Sequence, residues 1–209
     1  MTQSLKAQLR KNFQSIIKTI PSYRRDSASA EAISSLLCKS IPPDNSLVLS
    51  FYSMLHLNEI DTSIFNEDLI GQNRLVLPKV EPKNRVLQLY HIPSLSNEFI
   101  EVSKYGIMEP IPKRCTKIDP NEISTVIVPG LAFESHPHGF STITSTQAAP
   151  PIAEMFGYYR LGRGGGYYDI LLSLMKGAKK IGIAYREQAY EEDLPIESHD
   201  QPVDRVIFF

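Results

Sequence analysis

Short apolar segments alternate with helical segments along this chain of 209 residues, and the alternation restricts its fold more than any other feature. The apolar segment SLVLSFYSM (46–54) is followed by a helical segment from Thr62 to Gly71, and then by a second apolar segment, NRLVLPKV (73–80). The same order recurs between 124 and 185, around a helix predicted at 168–176. Strands that are separated by helices pair in parallel. The sequence therefore predicts an α/β fold with a largely parallel sheet and helices on both of its faces.

The other segments fit a single domain that covers residues 1–209, because a chain of this length can bury one sizeable core. Apolar residues at steps of three and four predict an amphipathic helix over 4–20, which Pro21 stops. A second helix is predicted at 28–39, and Gly71 is the predicted cap of the third. The remaining predicted strands are RVLQLYHI, VDRVIFF and short strands within 97–118.

Composition places the chain among ordinary globular proteins, with 42% hydrophobic and 22% charged residues. A net charge of −1 argues against binding to nucleic acid through bulk electrostatics. No run approaches the ~18 apolar residues of a membrane span. Cys38 and Cys115 lack the spacing of a zinc site and suit a reducing compartment. We therefore expect a cytoplasmic monomer without nucleic-acid or membrane partners.

The segment GYYRLGRGGGYYD (157–169) carries the strongest chemical signal. Its glycines allow the backbone to approach a ligand closely, Arg160 and Arg163 offer guanidinium donors, and a helix begins directly after it. Asp169 would repel a bound anion unless a cation such as Mg²⁺ lay between them. The segment matches neither the GxGxxG nor the P-loop motif. It predicts a site for phosphate and metal, and a plain glycine-rich turn before a helix is the alternative.

Basic residues and histidines elsewhere give weaker signals. Residues 1–25 contain six basic residues and no acidic one, which is also typical of a solvated helix face. Lys6 and Arg10 lie four residues apart, so one helical face presents both. The pair His136 and His138 has no third metal ligand nearby in the sequence, so we do not expect a zinc site.

The segment RLGRGGGYYD resembles, almost letter for letter, the signature of the 5-formyltetrahydrofolate cyclo-ligase family, also called methenyltetrahydrofolate synthetases. Further segments resemble that family in the same order along nearly the whole chain. They are KAQLRK, SMLHLNEIDT, RLVLPKV, YGIMEP, VIVPGLAFE, IGIAYREQ and HDQPVDRVI.

The resemblance implies an enzyme that uses ATP as co-substrate and Mg²⁺ to convert 5-formyltetrahydrofolate into 5,10-methenyltetrahydrofolate, with ADP and phosphate as the other products. Its only other partner would be a small molecule, the reduced folate. Phosphorylation of the formyl oxygen would give an iminium phosphate, which the N10 amine attacks. This chemistry depends on positioning and on neutralisation of charge.

The resemblance also implies a role for each residue that it matches. Arg163 would be catalytic, because it is best placed to neutralise charge during transfer. Met54, Glu59 and Tyr167 would contact the folate, with Asp61 as the alternative acid. Asp169 and Asp200 would bind Mg²⁺. The residues assigned to ATP are Lys6, Arg10, Arg160, Leu161, Gly162, Arg163, Gly164, Gly165, Gly166 and Tyr168.

The chain departs from the family pattern in two places. Some members carry lysine where this chain has Gly165, so that one phosphate contact is absent. About twenty extra residues, including 141–151, form an insertion at about 135–158 before the glycine segment. These departures leave open a folate- or nucleotide-binding protein without turnover. A third possibility is an α/β enzyme that uses the same glycine segment to handle a phosphosugar or coenzyme A.

Overall fold

The computed structural model of the protein describes residues 2–35, 39–103, 106–138 and 157–209. The α-helices in these ranges are α1 (Thr2–Thr19), α2 (Ser22–Ser35), α3 (Ser63–Gly71) and α4 (Tyr167–Leu174). The first six strands are β1 (Leu47–Leu49), β2 (Leu75–Glu81), β3 (Val86–His91), β4 (Ile100–Val102), β5 (Met108–Pro110) and β6 (Thr116–Ile118). The others are β7 (Ile123–Val128), β8 (Ala132–Glu134), β9 (Arg160–Leu161), β10 (Lys179–Ala184), β11 (Ala189–Tyr190) and β12 (Arg205–Phe208).

Seven strands form the main sheet in the order β12-β10-β7-β1-β2-β3-β6. The strands from β12 to β2 pair in parallel, whereas β3 and β6 extend the sheet in antiparallel fashion. β1 and β2 are joined through α3, and β7 and β10 are joined through α4, as the alternation of segments predicts. The largely parallel α/β sheet expected from the sequence is therefore confirmed.

Helices cover both faces of this sheet because successive side chains of a strand point in opposite directions. Val48 packs in one hydrophobic cluster with Ala28 of α2 and Phe65 of α3. The next residue, Leu49, packs in a second cluster with Leu171 of α4. Each central strand thus contributes to two cores, which confirms the expectation of helices on both faces.

The helix α1 packs on a small second sheet with the strand order β11-β8-β9. Leu9, Phe13 and Ile17 form the buried stripe of α1 and share a cluster with Ala132 of β8 and Leu161 of β9. The next residues after β9 are the glycine segment. Packing of the apolar face of α1 therefore brings its basic face close to the glycines.

Some predicted boundaries were wrong. α2 begins at Ser22 instead of residue 28, and residues 36–38 of the predicted helix lie outside the described ranges. Gly71 is the last residue of α3 rather than its cap. The left-handed residue that turns the chain is Asn73, with φ of 58°. Asparagine adopts this conformation more readily than most residues, so glycine is not required there.

The predicted strand at 46–54 was also too long, because β1 ends at Leu49. The amide of Ser50 still donates to the carbonyl of Val76 in β2 at 3.0 Å, and after that residue side chains replace the backbone ladder. The carbonyl of Phe51 accepts hydrogen bonds from Thr62 Oγ1 at 2.9 Å and from Asn66 Nδ2 at 3.0 Å. The chain beyond β1 is thereby held as an ordered loop.

The predicted insertion at about 135–158 falls largely on residues 139–156, which lie outside the described ranges, as do residues 141–151 within it. Its two flanks are bonded to each other. The amide of Glu134 donates to the carbonyl of Tyr159 at 3.1 Å, and that of His138 donates to Gly157 at 3.2 Å. The described residues on the two sides of the insertion therefore lie next to each other and are held by backbone hydrogen bonds. Within the described ranges, no helix has both the length and the apolarity needed to cross a membrane.

Candidate functional site

A pocket of about 560 Å³ lies between α1, the glycine segment and loops that follow β1 and β7. Such a position, beyond the carboxyl ends of parallel strands, is where open α/β sheets bind ligands. Apart from Asp61, the alternative acid, every residue to which the sequence assigns a role lines it. These are Lys6, Arg10, Met54, Glu59, Arg160, Leu161, Gly162, Arg163, Gly164, Gly165, Gly166, Tyr167, Tyr168, Asp169 and Asp200. The structure thus brings together four separate parts of the chain, although the roles themselves remain predictions.

The glycine segment turns sharply between β9 and α4. Gly164 and Gly166 have φ of 101° and 71°, which residues with a side chain rarely adopt. Gly166 occupies the cap position of α4. A Cβ atom at Gly165 would lie 2.8 Å from the ring of Tyr167. The ring of Tyr167 thus occupies the space in which a side chain at 165 would begin.

Arg160 and Asp169 form an ion pair under this segment, with Nη2 3.0 Å from Oδ1. The amide of Gln201 also donates to Asp169 Oδ1, at 3.3 Å. The guanidinium of Arg160 lies 5.4 Å from the centre of the Tyr168 ring, at a distance typical of a cation–π contact. The side chain of Arg160 is almost fully buried, so its charge is balanced by Asp169 at the start of α4 and not by solvent.

Lys6 is bonded to two carboxylates at the far end of the chain. Its Nζ atom lies 3.0 Å from Glu197 Oε2 and also contacts Asp200 Oδ2. The amide of Glu197 donates to the same Asp200 oxygen at 2.7 Å. The hydrogen bond from Lys6 holds the pKa of Glu197 below its usual range. Because Lys6 is buried, it anchors α1 to the loop before β12.

Arg163 and Glu59 form a third ion pair, in which Nη2 and Oε1 are 2.8 Å apart. The other oxygen of Glu59 accepts the amide of Met54 at 2.9 Å. Arg10 donates from Nε to the carbonyl of Gly162 at 3.0 Å. Asp61, the alternative acid, does not line the pocket and instead accepts the amide of Ser63 at 2.9 Å. Of the two acids, Glu59 is the one that lines the pocket.

The charges of the pocket balance. Its basic residues are Lys6, Arg10, Arg160 and Arg163, and its acidic residues are Glu59, Asp169, Glu197 and Asp200. Three of the bases are bonded to carboxylates, so an anionic ligand that binds any of these three must exchange places with a carboxylate. The energetic cost of that exchange is lowest if the ligand brings a cation for the released carboxylates.

Asp169 and Asp200 have the donor atoms that suit Mg²⁺. Hydrogen bonds to Asp169 from the described residues all reach Oδ1, which leaves Oδ2 as an oxygen donor. Asp200 binds Lys6 through Oδ2, and its Oδ1 is 3.8 Å from His199 Nε2. Mg²⁺ sites combine one or two carboxylates with phosphate oxygens and water. These two residues therefore fit such an ion beside a phosphate group.

Several residues that line the pocket were missed from the sequence. Val80 and Leu87 face each other across β2 and β3 and, with Ile107, give the pocket an apolar wall. No sequence signal identifies them, because an apolar strand residue is equally typical of a core. The others are Gln3, Pro129, Gly130, Glu197 and His199. Glu197 had no signal either, because a buried lysine requires an acidic partner but the burial of Lys6 is visible only in the structure.

His138 contacts carboxylates that the sequence spacing did not reveal. Its Nδ1 atom is 2.5 Å from Glu134 Oε1, and one ligand atom each of His138, Glu134 and Asp193 lie within 4.8 Å of one another. Glu134 is fully buried and also accepts the amides of Leu194 at 2.8 Å and Tyr159 at 3.0 Å. These hydrogen bonds join β8, the residue before β9 and the loop after β11.

Comparisons with known proteins agree on one family. A model of the 5-formyltetrahydrofolate cyclo-ligase family matches residues 157–208. The mitochondrial 5-formyltetrahydrofolate cyclo-ligase of Arabidopsis thaliana is 26% identical over 181 residues, which are 76% of this chain and 57% of that protein. This chain therefore spans less than two thirds of the length of that relative.

Two solved structures resemble the whole fold. The 5,10-methenyltetrahydrofolate synthetase of Mycoplasma pneumoniae superposes with a TM-score of 0.66 at 21% identity, over 97% of each chain. At that identity the likeness shows the fold alone. The NMR structure of Aquifex aeolicus 5,10-methenyltetrahydrofolate synthetase gives a TM-score of 0.74 at 30% identity, over 98% of this chain and 89% of that one. With that identity over nearly its full length, this chain belongs to the 5-formyltetrahydrofolate cyclo-ligase family.

Proposed function

We propose that this protein is an enzyme that uses ATP to convert 5-formyltetrahydrofolate into 5,10-methenyltetrahydrofolate, with release of ADP and phosphate. One observation supports the proposal above all others. A glycine segment, four basic residues and two Mg²⁺-compatible carboxylates converge on the same pocket as an apolar wall and the carboxylate of Glu59. The polar half suits a triphosphate, and the other half suits a flat heterocycle with N–H groups.

The formyl oxygen is a poor leaving group until it is phosphorylated. Its attack on the γ-phosphorus breaks the bond to the β-phosphate oxygen, so ADP leaves and an iminium phosphate forms. The N10 nitrogen then bonds to the formyl carbon, loses its proton, and phosphate departs with the C–O electron pair. Both steps depend on the positioning of the reacting atoms and on neutralisation of the charge on the phosphoryl group.

The polar residues would divide this work. Arg163 would neutralise charge on the transferred phosphoryl group, because its guanidinium is the most exposed of the bases paired in the pocket. Backbone amides of the glycine segment would bind the phosphates, with Lys6, Arg10 and Arg160 as charged donors. The side chain of Leu161 is buried in the cluster of α1, so a contact from this residue would come from its backbone.

The substrate would lie against the opposite side of the pocket. Glu59 would accept N–H groups of the pterin, and Tyr167 would stack on its ring. Met54 would complete this side together with the apolar wall formed by Val80, Leu87 and Ile107. Such a wall would exclude water from an iminium phosphate that water can hydrolyse.

Asp169 and Asp200 would hold Mg²⁺, which neutralises phosphate oxygens and orients them. When they do so, Arg160 and Lys6 become free to turn toward the phosphates. The ion pairs of the pocket would thus be exchanged for new ones without leaving a buried charge alone.

A spectroscopic assay tests the proposal. Purified protein with ATP, Mg²⁺ and 5-formyltetrahydrofolate should develop the absorbance of the methenyl product with one ADP released per product, and EDTA should abolish both. Binding of both ligands without that absorbance would favour the alternative, a binding protein without turnover. Thermal protection by a sugar phosphate or coenzyme A but not by ATP would favour the third function.

We propose that residues 1–209 form one domain that acts as a monomer, which sedimentation of the purified protein tests. The cytoplasmic location is likewise a proposal, and the Arabidopsis relative carries a mitochondrial name. Microscopy of the tagged protein in its own cells would decide between the two compartments.

A further inference from the structure

The hairpin between β2 and β3 carries an arginine in an unusual backbone conformation. Arg85 has φ of 54°, in the left-handed region. Among the described residues, the other non-glycine residues with positive φ are Asn58 and Asn73. Asparagine and glycine adopt this region at the lowest cost, whereas a long side chain adds strain of about 1 kcal/mol. An arginine at such a position is explained if its side chain makes an interaction that offsets this strain.

The side chain of Arg85 extends to the glycine segment. Its Nη2 atom donates to the carbonyl of Gly165 at 3.3 Å. Gly165 lines the pocket, and Val80 and Leu87 of the same hairpin form part of the apolar wall. The hairpin therefore places a positive charge, exposed to solvent, between the apolar wall and the glycines.

Arg85 makes the same kind of contact as Arg10, which binds the glycine segment from α1. Arg10 donates to the carbonyl of Gly162, three residues before Gly165. Each arginine uses one nitrogen in its bond to the segment and has further N–H donors. Within the described ranges, neither forms an ion pair with a carboxylate. Both can therefore bind an anion without first releasing an acidic partner, unlike Lys6, Arg160 and Arg163.

We propose that Arg85 is a further ligand-binding residue, which receives an anionic oxygen group of a bound ligand beside Gly165. This inference rests on the proposed function, because it takes the pocket as the site for ATP and a reduced folate. The anion is a phosphate oxygen of ATP or a carboxylate of the folate, and the two are separated by experiment. In either case Arg85 supplies, from another part of the chain, the positive charge that Gly165 itself lacks.

The test uses the full-length protein with Arg85→Asn, since asparagine tolerates the left-handed backbone and the fold is preserved. Arg85→Lys keeps the charge but not the fork of N–H donors. Lys83→Asn is the matched control, because it removes one charge from the same hairpin turn. Equal thermal unfolding temperatures of the variants establish that binding is compared between folded proteins.

Calorimetric titrations with a non-hydrolysable ATP analogue and Mg²⁺, and separately with 5-formyltetrahydrofolate, give the result. We expect Arg85→Asn to weaken the binding of one of the two ligands by about tenfold or more, as for the loss of a charge-assisted hydrogen bond. Arg85→Lys should recover part of the loss, and Lys83→Asn should bind like the wild type. The affected titration identifies the anion as phosphate or carboxylate.

Two outcomes would overturn the inference. If Arg85→Asn binds both ligands like the wild type, Arg85 has no part in binding, while the proposed function stands. If Lys83→Asn loses as much as Arg85→Asn, the effect is bulk charge and not a contact at Gly165. If the wild-type protein binds neither ligand, the proposed function itself is wrong. The titrations of the wild type show this before any variant is compared.

Discussion

Arg163 and Glu59, which we assign to different ligands, are bonded to each other, with Nη2 2.8 Å from Oε1. Glu59 is the acid proposed for the folate, and Arg163 is the base proposed for the transferred phosphoryl group. A folate that binds Glu59 must therefore release Arg163. Because each ligand takes one partner of the same ion pair, binding of the two ligands is expected to be coupled.

The first prediction concerns that coupling. In the wild type, 5-formyltetrahydrofolate should tighten binding of a non-hydrolysable ATP analogue by about fivefold or more. Glu59→Gln should abolish this dependence and weaken folate binding, because Arg163 is already free and the carboxylate is gone. Paired calorimetric titrations measure both effects. Asp61→Asn is the control, since Asp61 does not line the pocket. Coupling that persists in Glu59→Gln would contradict the exchange.

The second prediction concerns Arg163 in catalysis. Arg163→Ala should lower kcat by about 10²–10³-fold with a smaller change in the binding of ATP, because charge on the transferred group is greatest in the transition state. Arg163→Lys should restore part of the rate, since it keeps charge but not bidentate geometry. Appearance of the methenyl product under saturating substrates measures kcat. Unchanged turnover in Arg163→Ala would refute the role.

The third prediction concerns Tyr168. Its hydroxyl is shielded from solvent and has no hydrogen-bond partner among the described residues, and burial raises its pKa well above the usual range. Removing an unpaired buried hydroxyl costs little, so Tyr168→Phe should change the free energy of unfolding by less than about 1 kcal/mol. Tyr168→Ala should cost about 3–5 kcal/mol, because it leaves a cavity. A large loss in Tyr168→Phe would show that the hydroxyl binds something.

The fourth prediction concerns pH. The hydrogen bond from Lys6 lowers the pKa of Glu197 from its usual value of 4.5. Its pairing therefore stabilises the fold fully above about pH 4.5 and is lost as pH falls through the lowered pKa. The difference in Tm between wild type and Glu197→Gln should be constant at pH 6–8 and should vanish in acid. A difference that is independent of pH would contradict the linkage.

The fifth prediction concerns Glu134. Glu134→Ala leaves two backbone amides and the ring of His138 without their acceptor, so it should destabilise the fold by about 3–5 kcal/mol. Glu134→Gln should cost less, because its carbonyl oxygen still accepts. Urea unfolding measures both. His138→Gln isolates the contribution of the imidazole, and a Glu134→Ala protein as stable as the wild type would disprove the role of this hydrogen-bond network.

Much of the fold was predictable, because parallel strands and their connecting helices carry periodic patterns. The segments around β1-α3-β2 and β7-α4-β10 predicted both the parallel pairing and the coverage of both faces. The end of β1 was not predictable, since the side chains of Thr62 and Asn66 replace its ladder from a distance of more than ten residues along the chain. The prediction that Gly71 caps α3 was wrong for a related reason. An asparagine two residues later could make the same turn.

By itself, the sequence determined the chemistry of the site: glycines where the backbone must turn, and bases and acids of the type that bind phosphate and Mg²⁺. Only the tertiary structure decided which of these groups bond to each other. Lys6 meets Glu197 and Asp200 across more than 190 residues, Arg163 meets Glu59, and Arg85 reaches Gly165 from a hairpin. The reason is physical. Residue type sets what a side chain can bind, whereas pairing depends on distances that exist only once the sheet and α1 have packed.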